Sequence, residues 1–477
     1  MIKRTKIVCT IGPACESVDI LMKMVNAGMN VARLNFSHGT HENHAMLINN
    51  IYEASKQSGE LVAILQDLQG PKIRVGVLPN DGIVLTENTE VVFNTSLKQY
   101  NGEHIPVDYE MLHTFVKPGE RILLNDGKFE TKILRVQGTL IMAQVVAGGV
   151  LTSHKGMNLP DSILKIRALT DKDKHDVEFG VAHDVDFVAL SFVRTKDDVL
   201  ELRNYIEACE KKLKKSSEPK IKIIAKIERR EAIDNIESIF EVVDGIMVAR
   251  GDLGIEVRAE QVPVLQKKLI GLALKYHKPV IVATQMLDSM QENIRPTRAE
   301  VSDVANAVID HTDAVMLSNE TATGKFPVQT VETMAKILAE TEQSEYDNLV
   351  RTGSYSTPID TEAAIGEMSE ALAERSNAKM IVAPSLTGKI GHIISAHRPE
   401  IPLIVATPFE RVMRQLNLSW GVLPLFLPMY TKADEIIDEC LRLLKMHAWV
   451  LPGEEVIVVS GVPGKSGEVN RVEVRGM

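Results

Sequence analysis

The segments Ile221-Lys-Ile-Ile-Ala-Lys226-Ile-Glu228 and Gly245-Ile-Met-Val-Ala-Arg250-Gly-Asp252-Leu-Gly254 are short apolar β-type stretches that each run into charged residues. If the two strands are neighbours, a lysine, two carboxylates and a glycine-flanked backbone arrive at the same end. That is the layout of a metal-dependent site for a phosphorylated or carboxylated substrate. One charged residue at a strand end is commonly no more than solvated charge, but the pattern recurs. Other apolar runs end at Thr10, at Arg33, Asn35, Ser37 and His38, at Asp67, at Ser191, at Thr284, and at Ser318 and Glu320.

The elements that must position these residues follow from periodicity. Short β-rich runs are expected at 5–11, 31–35, 61–67, 187–192, 221–227, 245–250, 280–284 and 314–318, with amphipathic helices between most of them, such as 17–27, 41–58, 196–212 and 263–276. Eight strand-helix units in succession predict a (β/α)8 barrel of the TIM type, an α/β fold whose sites form at the carboxyl ends of its strands. After Asp67 the helical period gives way to short alternating strands with turn signals at Asp81-Gly82, Asn125-Asp126-Gly127 and Gly148-Gly149, which predicts an inserted all-β domain. On the catalytic rim such an insertion serves as a lid that keeps water from a labile phosphoryl group. Past residue 345 a polar connector (Ser354, Ser356, Thr357, Pro358) leads to a helix and new strands at 380–383, 403–406 and 456–460, a third, α/β domain. The expected boundaries are 1–70 with 166–345 for the barrel, 71–165 for the lid and 346–477 for the C-terminal domain.

Composition narrows the functions available. The chain has 477 residues, 44% of them hydrophobic, enough for two to four domains with cores of their own. A net charge of -10 offers no basic field for nucleic acid or anionic lipid, so local cations or a metal must hold an anionic substrate. Four scattered cysteines suggest neither a disulfide framework nor a Cys-x-x-Cys metal pair. With no stretch of eighteen apolar residues and no signal-like start, a cytoplasmic protein is expected.

Several longer motifs now bear on identity: Asn30-Val-Ala-Arg-Leu-Asn-Phe-Ser-His-Gly39, Ile224-Ala-Lys-Ile-Glu228, Met247-Val-Ala-Arg-Gly-Asp-Leu-Gly-Ile-Glu256, Ala283-Thr-Gln-Met-Leu287 and Pro296-Thr-Arg-Ala-Glu-Val-Ser-Asp303. In this order, with the insertion and trailing domain around them, they closely resemble the pyruvate kinase family nearly end to end. The resemblance implies transfer of a phosphoryl group from phosphoenolpyruvate to ADP, giving pyruvate and ATP, with Mg²⁺. Glu228 and Asp252, hard oxygen donors, are the implied Mg²⁺ ligands, and a second Mg²⁺ is expected to arrive with the nucleotide. Lys226 and Arg33 would neutralise the moving phosphate. Backbone N–H groups at Gly251 and Asp252 would receive the substrate carboxylate. Thr284, with Ser318 in the relay, stands closest to proton delivery onto the enolate. Pro13, His38, Arg74 and Lys155 are the implied nucleotide contacts, although Asn43 replaces a tyrosine that animal members carry near the adenine.

Two departures carry expectations of their own. Many members hold K⁺ at positions matching Asn35, Ser37 and Asp67, with a threonine after the aspartate and a glutamate five residues past it; this chain has Leu68 and Lys72 there and resembles the K⁺-independent branch. Two charges about 4 Å apart interact by roughly 4 kcal/mol at an effective dielectric of 20, so the Lys72 ammonium is expected to replace the effect of the ion. In the third domain the turn Pro384-Ser-Leu-Thr-Gly-Lys389 resembles the family's effector loop, with Ser385, Thr387, Gly388 and Lys389 as the phosphate-facing residues. Ile390 and Glu468 fit a doubly phosphorylated sugar poorly, which leaves a monophosphorylated sugar or nucleotide as the expected activator. A homotetramer is implied by the resemblance. The rival readings are a Mg²⁺-dependent barrel lyase or aldolase working through a pyruvate enolate, and an inactive binding or scaffold relative.

Overall fold

The computed structural model describes residues 3–162, 167–215, 219–348, 361–429, 433–461 and 469–477. The polar connector at 354–358, Glu468 and most of the loop before it lie outside the described residues. Eight parallel strands, Lys6–Thr10, Val31–Asn35, Ala63–Asp67, Phe187–Leu190, Lys222–Ile227, Gly245–Ala249, Val280–Ala283 and Ala314–Leu317, close into a barrel in chain order. The expected runs extend one or two residues too far at the carboxyl end in several cases. There the ladder gives way to the turn into the next helix: Phe192 and Thr284 have left the strand at φ 56° and 74°.

The helices between strands form where the apolar period and the caps agree. His41–Ser58 starts behind Thr40, whose hydroxyl accepts from the Asn43 N–H, and ends at Gly59 with φ 74°. Arg298–Ile309 starts with a reciprocal capping box between Thr297 and Glu300. Their apolar faces pack on the outside of the strands in one continuous core that includes Leu21, Ile48, Val177, Leu202, Leu269 and Val331.

The inward-facing positions form a separate column: Val8, Val31, Ala63, Leu65, Phe187, Ala189, Ile224, Met247, Ile281, Ala283, Ala314 and Met316. This filled interior is what a small closed barrel requires. Its last member comes from outside the barrel. Leu418 of the C-terminal domain is 1% exposed and belongs to the same cluster, plugging the floor at the amino ends of the strands.

Between the third and fourth barrel strands lie a six-stranded sheet and a two-stranded one, Ile83–Leu85 with Gly149–Leu151. Phe93, Ile105, Ile122 and Ile141 are among the residues that give this insertion its own core. At its tip Asn125 and Asp126 both adopt left-handed backbone ahead of Gly127, a conformation these three residue types tolerate.

The C-terminal domain is a five-stranded sheet in the order Val422–Phe426, Leu403–Thr407, Ala378–Pro384, Glu455–Gly461, Val469–Gly476, parallel except for the last. The sequence reading expected only the middle three. The two missed strands are edges: one carries Pro424 and the other alternates with charge, both usual at unpaired margins. All four cysteines are buried and free. Among the described residues no helix is long and apolar enough to cross a membrane.

Candidate active site

The site is the continuation of the inward column past the apolar layer. Side chains two residues apart on a strand share a face, so Val8 leads to Thr10, Val31 to Arg33 and Asn35, Leu65 to Asp67, Ala189 to Ser191, and Ile224 to Lys226 and on to Glu228. Register completes the ring: Thr10 sits opposite Arg33, Asn35 opposite Asp67, and Lys226 opposite Met247.

These side chains form one connected network. Arg33 Nε donates to Asp67 Oδ2 at 2.6 Å, and its NH1 donates to Thr10 Oγ1 at 2.8 Å. Lys226 Nζ lies 3.2 Å from Asp67 Oδ1 and 2.9 Å from Glu228 Oε1, and donates to Ser191 Oγ at 2.8 Å. Burial would lower the Lys226 pKa, but Asp67 and Glu228 outweigh it and hold the ammonium well above its ordinary range. For Asp67 burial pulls upward, and Lys226 and Arg33 reverse it and keep the carboxylate ionised. Arg33 and Lys226 are thus two permanent cations held a short reach from solvent, suited to an anionic group bearing several oxygens.

Glu228 is 1% exposed and has its pKa raised, first by burial and then, against the pull of Lys226, by Asp252. Asp252 itself is half-buried and, among the described residues, its carboxylate makes no side-chain hydrogen bond or salt bridge. Two carboxylates that repel each other, one of them unpartnered, are a donor set that a hard divalent cation fits. Among the described residues no group of three or more His, Cys, Asp and Glu could hold a metal unaided. The pair therefore suits Mg²⁺, which takes one or two carboxylates and fills its shell with water and substrate oxygens.

Gly251 and Asp252 lie in the first turn of the helix Arg250–Glu256. The Gly251 N–H donates to Thr284 Oγ1 at 2.8 Å, and that hydroxyl donates to Ala283 O at 2.6 Å. Thr284 is a β-branched residue at φ 74°, an uncommon backbone state. No hydrogen bond joins it to Ser318, whose N–H donates to Glu320 Oε2 at 2.6 Å. Arg250, a strand-end cation in the sequence, is engaged by the protein itself, with NH1 on Asp303 at 2.8 Å and NH2 on Thr284 O at 2.7 Å.

The remaining expected residues lie farther out. Pro13 and His38 are exposed at the first two strand ends. Asn43 sits in the first turn of the helix that follows, where its N–H meets the Thr40 cap. In the lid Arg74 NH1 donates to His154 O at 3.1 Å, whereas the Lys155 ammonium has no anionic partner among the described residues. Asn35 Oδ1 accepts from Ser37 N at 3.1 Å. Lys72 Nζ lies 3.5 Å from Asp126 Oδ1 in the lid tip, not against Asn35, Ser37 or Asp67. In the third domain Ser385 Oγ accepts from Gly388 N at 3.0 Å and Thr387 Oγ1 from Lys389 N at 3.4 Å, while the Lys389 ammonium pairs with Glu362.

Sequence reasoning gave no role to Ser191, Phe192 or Arg250. For Ser191 a signal existed, since it continues the column Phe187, Ala189. For Arg250 none did, because its partner Asp303 lies on a distant helix.

A closed β/α barrel whose mouth gathers buried cations and paired carboxylates under a β lid belongs to an enzyme of the phosphotransferase class. Family models described as "Pyruvate kinase, barrel domain" and "Pyruvate kinase, alpha/beta domain" match residues 2–331 and 363–475. A pyruvate kinase of Geobacillus stearothermophilus is 45% identical over 99% of this chain and 80% of its own length. Pyruvate kinase 2 of a Synechocystis strain is 43% identical over 99% of this chain and 79% of its own. The crystal structure of a pyruvate kinase from Cryptosporidium parvum superposes with a TM-score of 0.91 at 36% identity, covering 99% of this chain and 96% of that one. The chain belongs to the pyruvate kinase family.

Proposed function

We propose that this chain transfers the phosphoryl group of phosphoenolpyruvate to ADP at the mouth of the barrel, forming pyruvate and ATP. The observation that carries the residue assignment is the single network of Arg33, Asp67, Lys226 and Glu228, with Asp252 beside it. The bond between phosphorus and the enol oxygen breaks, a bond to a terminal ADP oxygen forms, and the resulting enolate takes a proton at carbon. Such a transfer depends on positioning and charge neutralisation, and Lys226 and Arg33 supply both. Glu228 and Asp252 would hold Mg²⁺, which when bound neutralises charge on the substrate oxygens. The Asp252 N–H, and that of Gly251 once it exchanges Thr284 Oγ1 for substrate, would orient the substrate carboxylate, and the Thr284 hydroxyl, with Ser318, stands on the route of the proton.

Pro13, His38, Arg74 and Lys155 receive the nucleotide, with Lys155 the lid cation free to meet a phosphate. Turnover independent of K⁺ belongs to the same reading. Leu68 is 1% exposed in the apolar core and offers no side-chain oxygen where other members have a threonine, and both Asp67 oxygens already face Arg33 and Lys226. Lys72 adds positive charge at the hinge of the lid. Ser385, Thr387, Gly388 and Lys389 would take a monophosphorylated activator, for which Lys389 must leave Glu362. The cytoplasm and a homotetramer complete the proposal.

A coupled assay for pyruvate tests it. Pyruvate should appear from phosphoenolpyruvate only with both ADP and Mg²⁺, and at undiminished rate in tetramethylammonium buffer. Pyruvate formed without ADP would overturn the phosphotransfer reading, and a tenfold rise on adding K⁺ would overturn the ion-independent one.

A further inference from the structure

The residues directly after the strand Phe187–Leu190 are not absorbed by the reaction as assigned, yet they touch two of its principal groups. Ser191 is 1% exposed. Its Oγ donates to Leu68 O at 2.7 Å across the neighbouring strand end and accepts from Lys226 Nζ at 2.8 Å. The direction of the hydroxyl is fixed by the first bond, so its lone pair is aimed at the lysine. The next residue, Phe192, adopts φ 56°, a state that costs an aromatic residue energy and that persists only where surroundings impose it. In that state its N–H donates to Glu228 Oε2 at 2.7 Å. The Phe192 ring is held from outside by the Arg229 guanidinium, 5.5 Å from its centroid. From the other side Gly70, at φ 66°, leaves the room: a Cβ there would stand 2.9 Å from Ser191 Cβ and 2.9 Å from Phe192 Cδ2.

We infer that the Ser191–Phe192 turn is a positioning device for phosphoryl transfer, in which the Ser191 hydroxyl and the Phe192 N–H fix Lys226 and Glu228 relative to each other from behind. This rests on the proposed function and deepens it. The ammonium donates a hydrogen bond to Ser191 and lies at ion-pair distance from Glu228 and Asp67. When substrate phosphate and metal compete for Lys226 and Glu228, Ser191 is the one uncharged neighbour with no reason to release the lysine. It keeps the ammonium pointed while the other contacts exchange. Ser191 touches no reacting atom in this account and acts only through Lys226.

The test is steady-state kinetics of the full-length chain with Ser191→Ala and Ser191→Cys, alongside thermal unfolding. A hydrogen bond to a charged group is worth enough that kcat of Ser191→Ala should fall about 30-fold. KM for phosphoenolpyruvate should move less than threefold, and Tm by only a few degrees, because Lys226 keeps Asp67 and Glu228. Cysteine, close in size but a poorer acceptor, should fall between alanine and the parent. A loss in kcat under fivefold for Ser191→Ala, or Ser191→Cys as impaired as Ser191→Ala, overturns the inference. Should Ser191→Ala not fold, Ser191→Cys alone decides: a kcat loss above threefold at unchanged KM supports the device, and parity with the parent sinks it. An inactive parent would instead refute the proposed function, so the two failures are separable.

Discussion

Both ends of the barrel bury ion pairs, but the accounts close differently. At the floor Asp186 takes Arg414 Nε on both oxygens, at 2.8 and 3.1 Å, and the Ile64 N–H at 2.8 Å. Asp313 accepts from Trp420 N at 3.0 Å and Val280 N at 3.1 Å, and Arg398 reaches it at 3.2 Å. Asp184 pairs with Arg411 and, at 3.0 Å, with Arg414. Every one of these cations comes from the C-terminal domain. At the mouth, by contrast, Asp67 Oδ1 is buried with an ionic neighbour but no aligned hydrogen bond, and the Asp252 carboxylate makes no side-chain hydrogen bond or salt bridge among the described residues. Carboxylates satisfied within the protein hold domains together, whereas a carboxylate oxygen left over is capacity for a ligand.

Substitutions at the two ends should therefore separate rate from stability. The largest effect belongs to Lys226→Met, for which kcat in the coupled pyruvate assay should fall about 10⁴-fold, on the order of 5 kcal/mol, with a smaller loss of stability than at the floor because Arg33 still pairs with Asp67. A loss of stability without that loss of rate would erase the distinction. Next comes Arg414→Met, which strands Asp186 in the interface. Urea unfolding should show a loss of about 3–5 kcal/mol while kcat stays within about threefold of the parent.

The smallest effect sharpens the contrast through pH. Asp347, beside the same interface, has its carboxyl pushed up to about 7 by burial, with Glu342 and Glu400 adding to it. A raised carboxylate pKa means that the folded state holds the proton longer than the unfolded one. The stability linked to Asp347 is thus present below the ordinary carboxylate range and is lost as pH rises toward 7. Asp347→Asn should leave Tm near pH 4 unchanged and raise it by a few degrees at pH 8, flattening the profile between. An unchanged profile would show that the group is ionised throughout.

Much of the mouth was legible beforehand because the barrel repeats a simple rule. Alternation along Leu65, Asp67 and along Ile224, Lys226, Glu228 marks which residues face inward, and strand direction marks which end they reach. The turn chemistry was less visible: nothing in the letters Ser-Phe says that Phe192 adopts a left-handed backbone, for which room is left by Gly70, 122 residues earlier. The destination of Arg250 was hidden for the same reason. The floor was illegible, because Arg398, Arg411 and Arg414 read as ordinary helix and loop charges until the third domain is folded against residues 184–186 and 313. Lys72 shows the opposite risk, since its position suggested a phosphate-facing cation and its ammonium pairs with Asp126 of the lid.

Leu418 gives that distant interface a meaning beyond adhesion. Because one leucine of the last domain completes the stack of side chains inside the first, the two cannot be separated at a linker without leaving a hydrophobic hole open to water. The catalytic barrel is accordingly unfinished during synthesis until residue 418 has emerged.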